Sequence, residues 1–272
     1  MKRPAVFLTI ILAACSAQQV AVAPATSDPA ALAQTARASL GQPYLAAGQA
    51  TDSVALLPPP PAPGSAAEAR DREAMRAALA LRGSPRWDQA MIDAELLVPD
   101  ATAVMSCAAG FTINSRATPA IDKLLKRATA DLGLSGSAAK RKYQRARPFM
   151  DNGEPSCSPG WEPLLRKDGS YPSGHSAVGY GWGLILAEIV PARATQLVAR
   201  GRAYGDSRRV CNVHWLSDVE EGRVAAAATV ARLHAEPAFQ QDLEAARIEA
   251  ARMADAPKPD CTREDAALAS TG

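Results

Sequence analysis

The residues best suited to chemistry in this chain of 272 residues fall into three short segments. These are Lys-x6-Arg-Pro at 140–148, Gly-Ser-Tyr-Pro-Ser-Gly-His at 169–175, and Ser-Arg-x5-His-x3-Asp at 207–218. They supply permanent cations, a carboxylate and two of the 3 histidines in the chain. Because cations bind phosphoryl oxygens and histidines attack phosphorus or carry protons, the three segments predict one phosphate-handling site.

His214 and Asp218 are four residues apart, a spacing that places two side chains on one face of a helix. There Asp218 would accept a hydrogen bond from the imidazole Nδ1–H, which leaves Nε2 as a directed nucleophile or base. Arg208 is expected in the turn before this helix, where its guanidinium would bind phosphate oxygens in pairs. Taken alone, the His–Asp pair fits a surface histidine beside a salt bridge better.

Ser173, Gly174 and His175 are expected to start a helix. Ser173 is a natural N-cap, so the amides of Gly174 and His175 would face outward at the positive end of the helix dipole, where anions bind. Gly174 permits close approach of the backbone, and His175 can deliver a proton to a leaving oxygen. By itself, however, a Ser-Gly-His sequence is a common helix cap.

Lys140 and Arg147 are seven residues apart, which predicts that they lie on one face of a helix ended by Pro148. Arg141 and Lys142 make the same stretch basic throughout. Considered separately, this segment fits an ordinary solvated helix face.

In this order, the three segments resemble the three motifs of the type 2 phosphatidic acid phosphatase superfamily. The segment at 169–175 is similar to the signature of its bacterial class A non-specific acid phosphatases. Flanking sequence agrees at 56–61, 145–149, 166–169, 214–218 and 233–239. The likeness covers roughly residues 53 to 250. It implies an all-α fold, a single-domain helical bundle of the acid phosphatase and vanadium-dependent haloperoxidase type, and strand signals are indeed sparse in the sequence.

The resemblance also implies a role for each residue. His214 would attack phosphorus and become a phosphohistidine, Asp218 would orient it, and His175 would protonate the leaving alcohol and then activate water. The residues that would hold the phosphoryl oxygens are Lys140, Arg147, Ser173, Gly174 and Arg208. No metal and no cofactor are implied, since side-chain cations take their place. The substrates would be small phosphomonoesters, and phosphate and vanadate would inhibit.

Two positions depart from the resemblance. Asn212 stands where relatives usually have glycine, and Ser176 stands where threonine is common. Neither change removes a functional group, but Asn212 would narrow the pocket or alter the backbone, so the substrate range is the property it affects. The third histidine, His234, matches no catalytic position and is interpreted as structural.

The N-terminus predicts export. A basic start is followed by an apolar stretch at 5–14 that is too short to span a membrane. Leu12-Ala13-Ala14-Cys15 resembles a bacterial lipobox. We therefore expect a signal peptide at 1–14, a lipid on Cys15, and a periplasmic protein anchored to a bacterial membrane only by that lipid. The alternative is an ordinary signal peptide with a chance cysteine. Losing Lys2 and Arg3 cancels the formal charge of +2, so no nucleic-acid partner is implied.

Beyond the signal peptide, we expect a lipidated cysteine and flexible tether at 15–52, a helical domain at 53–254 and a C-terminal tail at 255–272. Helices are predicted at 66–81, 101–111, 119–132, 137–145, 173–189, 191–204, 213–234 and 237–254. Frequent proline and glycine predict a loop over 148–172.

Four cysteines follow Cys15: Cys107, Cys157, Cys211 and Cys261. An even number in an exported chain indicates disulfides, and all three pairings stay open. Zinc is the weaker interpretation, because no cysteine or histidine pair has ligand spacing.

Other functions share parts of this pattern. A vanadium-dependent haloperoxidase would bind vanadate in the same site, but such proteins are generally much longer. A membrane-embedded lipid phosphatase would need several spanning helices, for which the sequence gives no signal. A degenerate phosphate-binding lipoprotein would not need an intact attacking histidine. The sequence leaves the oligomeric state open, between a monomer and a homo-oligomer of the kind that relatives often form.

Overall fold

The computed structural model describes residues 31, 34, 38 and 40–269, and over 40–269 it is helical and contains no β-strand. The predicted all-α fold is confirmed. Longer helices in this range are α1 Ala66–Leu79, α2 Pro85–Ala94, α3 Pro119–Leu134, α4 Ser137–Tyr143, α5 Gly174–Ile189, α6 Ala194–Val210, α7 Leu216–Leu233, α8 Pro237–Arg252 and α9 Thr262–Ala269. Short helical turns lie at Ser53–Leu56, Ala101–Met105, Ser106–Ala109, Pro148–Asn152, Pro159–Trp161, Glu162–Leu165 and Pro191–Arg193. None of the described helices is long and apolar enough to cross a membrane.

Helix α5 lies at the centre of the bundle, in contact with α3, α6 and α7. Its buried apolar side chains include Val178, Trp182, Ile185 and Leu186. Glycines let α5 and α6 approach closely, because a Cβ on Gly201 would lie 2.5 Å from the carbonyl oxygen of Gly179. This contact sets the distance between His175, near the start of α5, and Arg208, near the end of α6.

Helix starts follow local signals in the sequence. The side chains of Ser65, Ser84 and Ser173 cap α1, α2 and α5 by accepting backbone N–H groups of the first turn. The caps predicted at Ser65 and Ser173 are thus confirmed. The patterns used above do not predict α2, although Ser84 at the N-cap and Pro85 at the first helical position are start signals.

Several predicted helix ends are wrong. The helix predicted at 137–145 ends at Tyr143, because Gln144 adopts the left-handed region with φ 43°. The stretch at 101–111 is a 3₁₀ helix followed by one α-helical turn, and it ends at Gly110 with φ 84°. Conversely, α6 continues to Val210, and the predicted loop at 148–172 contains short helical turns.

Contacts tie both ends of the described domain to its core. The backbone N–H groups of Tyr44 and Leu45 donate to the Asp131 carboxylate of α3 at 2.9 and 3.1 Å. At the other end α9 packs on α2, and Glu264 of α9 accepts a hydrogen bond from Arg200 at 3.1 Å. The predicted signal peptide and Cys15 lie outside the described residues.

The four cysteines form the disulfides Cys107–Cys261 and Cys157–Cys211. The first ties the start of α9 to the short helix at Ser106–Ala109. The second joins the 148–172 segment to the stretch between α6 and α7, where the backbone N–H of Cys157 also donates to the carbonyl of Cys211 at 3.1 Å. The structure thus selects one of the three pairings that the sequence leaves open.

Candidate active site

The sequence predicted His214 on a helix over 213–234, and this is wrong because His214 lies just before α7. The helix begins at Leu216, and Trp215 is its N-cap residue with extended backbone. Asp218 stands in the first turn, where its Oδ2 accepts the Trp215 backbone N–H at 2.9 Å. The same oxygen lies 3.4 Å from Nδ1 of His214. The predicted His214–Asp218 pair therefore forms, with one carboxylate both capping the helix and orienting the imidazole.

Hydrogen bonds define the tautomer of His214. Arg147 Nη1 lies 3.1 Å from Nε2 of the imidazole, and a guanidinium can only donate. Nε2 is therefore the unprotonated nitrogen, and the ring proton sits on Nδ1, facing Asp218. This is the form that a nucleophilic imidazole requires.

Lys140 and Arg147 do not share a helix face, contrary to the prediction. Because α4 ends at Tyr143 and the chain reverses direction at Gln144, Arg147 lies in an extended segment. The two side chains meet from different directions: Lys140 Nζ and Arg147 Nη2 each lie 3.1 Å from Oδ2 of Asp168. One half-exposed carboxylate thus faces two cations, which leaves an excess of positive charge beside His214.

The start of α5 is fixed against the start of α7. The backbone N–H of Ser173 donates to the carbonyl of Asp218 at 2.9 Å. This contact depends on Gly222 of α7, where a Cβ would lie 2.5 Å from the Ser173 carbonyl oxygen. Ser176, the residue found where threonine is common, donates its hydroxyl to Ser173 Oγ at 2.8 Å and is buried. Gly174 and the backbone amides at the N-terminus of α5 are therefore held next to Asp218, the partner of His214.

Arg208 lies in the last turn of α6. The sequence predicted it in the turn before the next helix, and that position is wrong. The prediction that Arg208 lies close to the site is confirmed by its influence on both site histidines. The Arg208 side chain is buried, its Nη1 lies 3.8 Å from Cys211 Sγ, and its Nε has no hydrogen-bond partner among the described residues. Burial lowers the pKa of Arg208 to about 10, which leaves it protonated at neutral and acidic pH. A buried guanidinium with unused donors is suited to bind an anion.

Burial and the nearby cations lower the pKa of both site histidines. Burial, with the positive charges of Arg147, Lys140 and Arg208, holds the pKa of His214 well below its ordinary value. Burial and the nearby Arg208 likewise lower the pKa of His175, whose Nε2 lies 3.2 Å from the carbonyl oxygen of Ala94. Burial lowers the pKa of Lys140 to about 8. Burial and the surrounding cations thus favour the neutral form of His214 over the charged form.

Asn212 adopts a backbone conformation that few residues other than glycine favour. Its φ of 61° lies in the left-handed region, which asparagine tolerates better than most residues with a side chain. Its side-chain amide exchanges hydrogen bonds with that of Asn152 at 2.9 and 3.2 Å and donates to the carbonyl of Glu154 at 2.8 Å. The substitution therefore ties the 148–172 segment to the site.

Sequence reasoning missed three charged residues around the site: Asp71, Arg145 and Asp168. Arg145 lies within the 140–148 motif and Asp168 directly precedes the 169–175 motif, and that proximity is the signal that could have found them. Asp71 lies far from the motifs in sequence, in α1, and no motif or residue spacing there indicates a role in the site. The third histidine, His234, lies outside the site and pairs with Glu188 at 3.0 Å, consistent with its structural interpretation.

Comparison with known proteins places the chain in one family. The model of the PAP2 superfamily matches residues 127–239, a range that contains the site residues from Lys140 to Asp218. A non-specific acid phosphatase of Providencia stuartii is 41% identical over 211 residues, covering 77% of this chain and 85% of that protein. One of Salmonella typhimurium is 40% identical over 222 residues, covering 81% and 89%. An acid phosphatase of Zymomonas mobilis is 38% identical over 199 residues, covering 73% and 75%. The chain belongs to the PAP2 superfamily, in the group of the bacterial non-specific acid phosphatases.

Proposed function

We propose that this protein is an acid phosphatase that hydrolyses phosphomonoesters through a phosphohistidine, without a metal ion. The observation that carries the proposal is the placement of the His214 ring, with Nδ1 3.4 Å from the Asp218 carboxylate and Nε2 3.1 Å from the guanidinium of Arg147. The names of the similar proteins support the acid phosphatase activity. The intermediate and the independence from metal are inferences from the chemistry of the residues present.

The first half-reaction transfers the phosphoryl group to the protein. Arg147 Nη1 first exchanges its hydrogen bond to Nε2 of His214 for one to a phosphoryl oxygen, which frees the lone pair. The Nε2 lone pair then attacks phosphorus, the bond from phosphorus to the ester oxygen breaks, and the leaving oxygen takes a proton from His175. Asp218 then faces a positively charged ring and stabilises it. The departing product is a neutral alcohol.

In the second half-reaction His175, now neutral, accepts a proton from water as the water attacks phosphorus. The bond from phosphorus to Nε2 breaks, and inorganic phosphate forms while His214 returns to its neutral state. His175 must carry a proton at the start of each cycle, although its pKa is lowered in this structure. A phosphate ester bound nearby brings negative charge, which opposes the effect of Arg208 and raises that pKa.

Charge stabilisation comes from groups of the protein in this proposal, mainly from cationic side chains. A transferring phosphoryl group spreads negative charge over its oxygens, so cations that are already in place contribute a large share of catalysis. Lys140, Arg147 and Arg208 supply that charge, and Ser173 as N-cap sets the start of α5, where the backbone N–H of Gly174 would add a donor.

Hydrolysis of p-nitrophenyl phosphate is expected to survive exhaustive treatment with EDTA and to be inhibited by vanadate, which mimics the five-coordinate phosphorus. The measurement is initial rate at acidic pH before and after chelation, with metal analysis of the treated protein. Loss of activity on chelation that added metal restores would contradict the mechanism. Bromide oxidation by the vanadate-loaded protein, in place of phosphatase activity, would favour a haloperoxidase.

Location is a separate part of the proposal: a periplasmic protein held on the membrane by a lipid on Cys15. The lipobox-like Leu-Ala-Ala-Cys sequence supports it. Replacing Cys15 by serine is expected to move the protein from the membrane fraction to the soluble fraction after cell lysis, because acyl chains supply the anchoring energy. The wild-type protein, fractionated in parallel with and without detergent, is the control. A Cys15→Ser protein that still sediments with membranes would contradict the anchor.

A further inference from the structure

We propose that Arg145, held in place by Asp71, is a positioning residue that fixes the Asp218 carboxylate for its work on His214. The inference rests on the proposed function, since it assigns the residue a part in that reaction. Asp71 lies outside the three sequence motifs, and Arg145 occupies one of the unspecified positions of Lys-x6-Arg-Pro at 140–148.

The contacts form a closed network between α1, the linker after α4 and the start of α7. Arg145 Nη1 donates to Oδ1 of Asp218 at 2.6 Å, and Nη2 donates to Oδ2 of Asp71 at 2.7 Å. Ser217 completes it: its backbone N–H donates to Oδ1 of Asp71 at 2.8 Å, and its hydroxyl donates to Oδ2 at 2.6 Å. One guanidinium thus bridges two carboxylates, of which only one touches the catalytic histidine.

Burial makes these contacts consequential. The Asp218 and Asp71 side chains are 0% and 2% exposed, and that of Arg145 is 13% exposed. The Arg145 guanidinium also lies over the Trp215 ring, 5.2 Å from its centroid. A buried carboxylate is costly unless it is paired and hydrogen-bonded, so Asp218 depends on its partners to stay ionised.

His214 is not the partner that holds Asp218 in place. Its Nδ1 lies 3.4 Å from the carboxylate, longer than the 2.6 Å contact from Arg145. The Trp215 backbone N–H holds the other oxygen at 2.9 Å. Asp218 is therefore fixed by Arg145 and Trp215, with a further hydrogen bond from the Ser170 side chain. The imidazole is aligned against a carboxylate already in position.

The charge of Asp218 depends on the same contact. Burial raises its pKa, and Arg145 is the strongest influence that lowers it. The titratable and charged groups that face Asp218 from the surrounding segments are Arg145, His214, Arg147, Lys140 and Tyr171. Among these, Arg145 is the permanent cation that donates a hydrogen bond to Asp218. Without it, Asp218 would take up a proton at a higher pH.

Arg145→Met is expected to lower kcat for p-nitrophenyl phosphate roughly 10- to 100-fold, the range typical of partners that orient a functional side chain. Inhibition by phosphate should change less than about twofold, because Arg145 does not belong to the predicted anion-binding set. The acid limb of the pH–rate profile should move to higher pH, since Asp218 must be ionised to act. Arg145→Lys keeps the charge but not the two-pronged geometry, so it should restore part of the rate and of the pH profile.

A double-mutant cycle separates positioning from general loss of structure. If Arg145 acts through Asp218, adding Arg145→Met to Asp218→Asn should cost less than about twofold beyond Asp218→Asn alone. Arg70→Met is the matched control: Arg70 of α1 pairs with Glu220 of α7 at 2.6 Å, linking the same two helices, but it is 62% exposed. It should leave kcat unchanged. Thermal unfolding of each variant checks that the comparison is made on folded protein.

Independent losses that multiply in the double variant, or an unchanged acid limb in Arg145→Met, would overturn the inference. Equal activity in wild type and Arg145→Met would overturn it as well, while leaving the phosphatase proposal intact. The phosphatase proposal fails separately, if folded wild-type protein releases no phosphate from phosphomonoesters.

Discussion

His214→Ala is expected to lower kcat for phosphomonoester hydrolysis by roughly 10⁴-fold or more, as for other removed nucleophiles. The cations around the site would still bind phosphate, so the loss should appear in kcat, with inhibition by phosphate largely retained. The physical reason is that no other described side chain in the site presents an unprotonated nitrogen held by both a carboxylate and a guanidinium. The measurement is a steady-state rate with p-nitrophenyl phosphate at acidic pH.

Trapping the intermediate tests the same assignment directly. Wild-type protein quenched during turnover should carry one phosphoryl group on the peptide that contains His214, identified by mass spectrometry under conditions that preserve phosphohistidine. His234→Ala is the matched control, because that histidine pairs with Glu188 away from the site and should not affect turnover. Activity of His214→Ala within tenfold of wild type, or a phosphoryl group trapped on another residue, would show that the nucleophile is elsewhere.

The second large effect is expected for His175→Ala, and its size should depend on the leaving group. For an alkyl ester such as glycerol 2-phosphate, kcat/KM should fall roughly 10²- to 10⁴-fold, the usual contribution of a general acid. For p-nitrophenyl phosphate the loss should be much smaller, because nitrophenolate leaves without a proton. The ratio kcat/KM is the suitable quantity, since it reports the step that forms the phosphohistidine.

Slow attack by water gives His175→Ala a second expected signature. With p-nitrophenyl phosphate, the variant should release a burst of one nitrophenol per site and then turn over slowly, as the phosphohistidine accumulates. His234→Ala again serves as control and should show neither effect. Equal losses for alkyl and aryl esters would argue that His175 binds the phosphoryl group and does not protonate the leaving oxygen.

Local features of the site could be predicted because short-range rules govern them. Ser173 caps α5 through a contact within its own first turn, and the four-residue spacing of His214 and Asp218 brings them together even though α7 starts after the histidine. In both cases the interacting groups are neighbours in sequence. The short segment between them has few possible backbone conformations, so the sequence spacing alone predicts the contact.

Predictions failed where a single residue changed the chain direction. A continuous helix would have placed Lys140 and Arg147 on one face, but Gln144 adopts a left-handed conformation and ends it. The two cations nevertheless lie close together, because both form an ion pair with Asp168. A non-glycine residue in the left-handed conformation is strained, and contacts elsewhere in the fold must offset that strain. Helix periodicity is a local property and therefore does not predict such a turn.

The sequence by itself determined the helical class, the chemical identity of the site and the segments that supply it, because helix periodicity, capping and the motif residues are local properties of the chain. Only the tertiary structure decided the disulfide pairing, the proton position on His214 and the network through Arg145. Asp71 and Asp218 are separated by more than half of the chain. Both carboxylates pair with the Arg145 guanidinium only when α1 packs beside α7 and both carboxylates are buried.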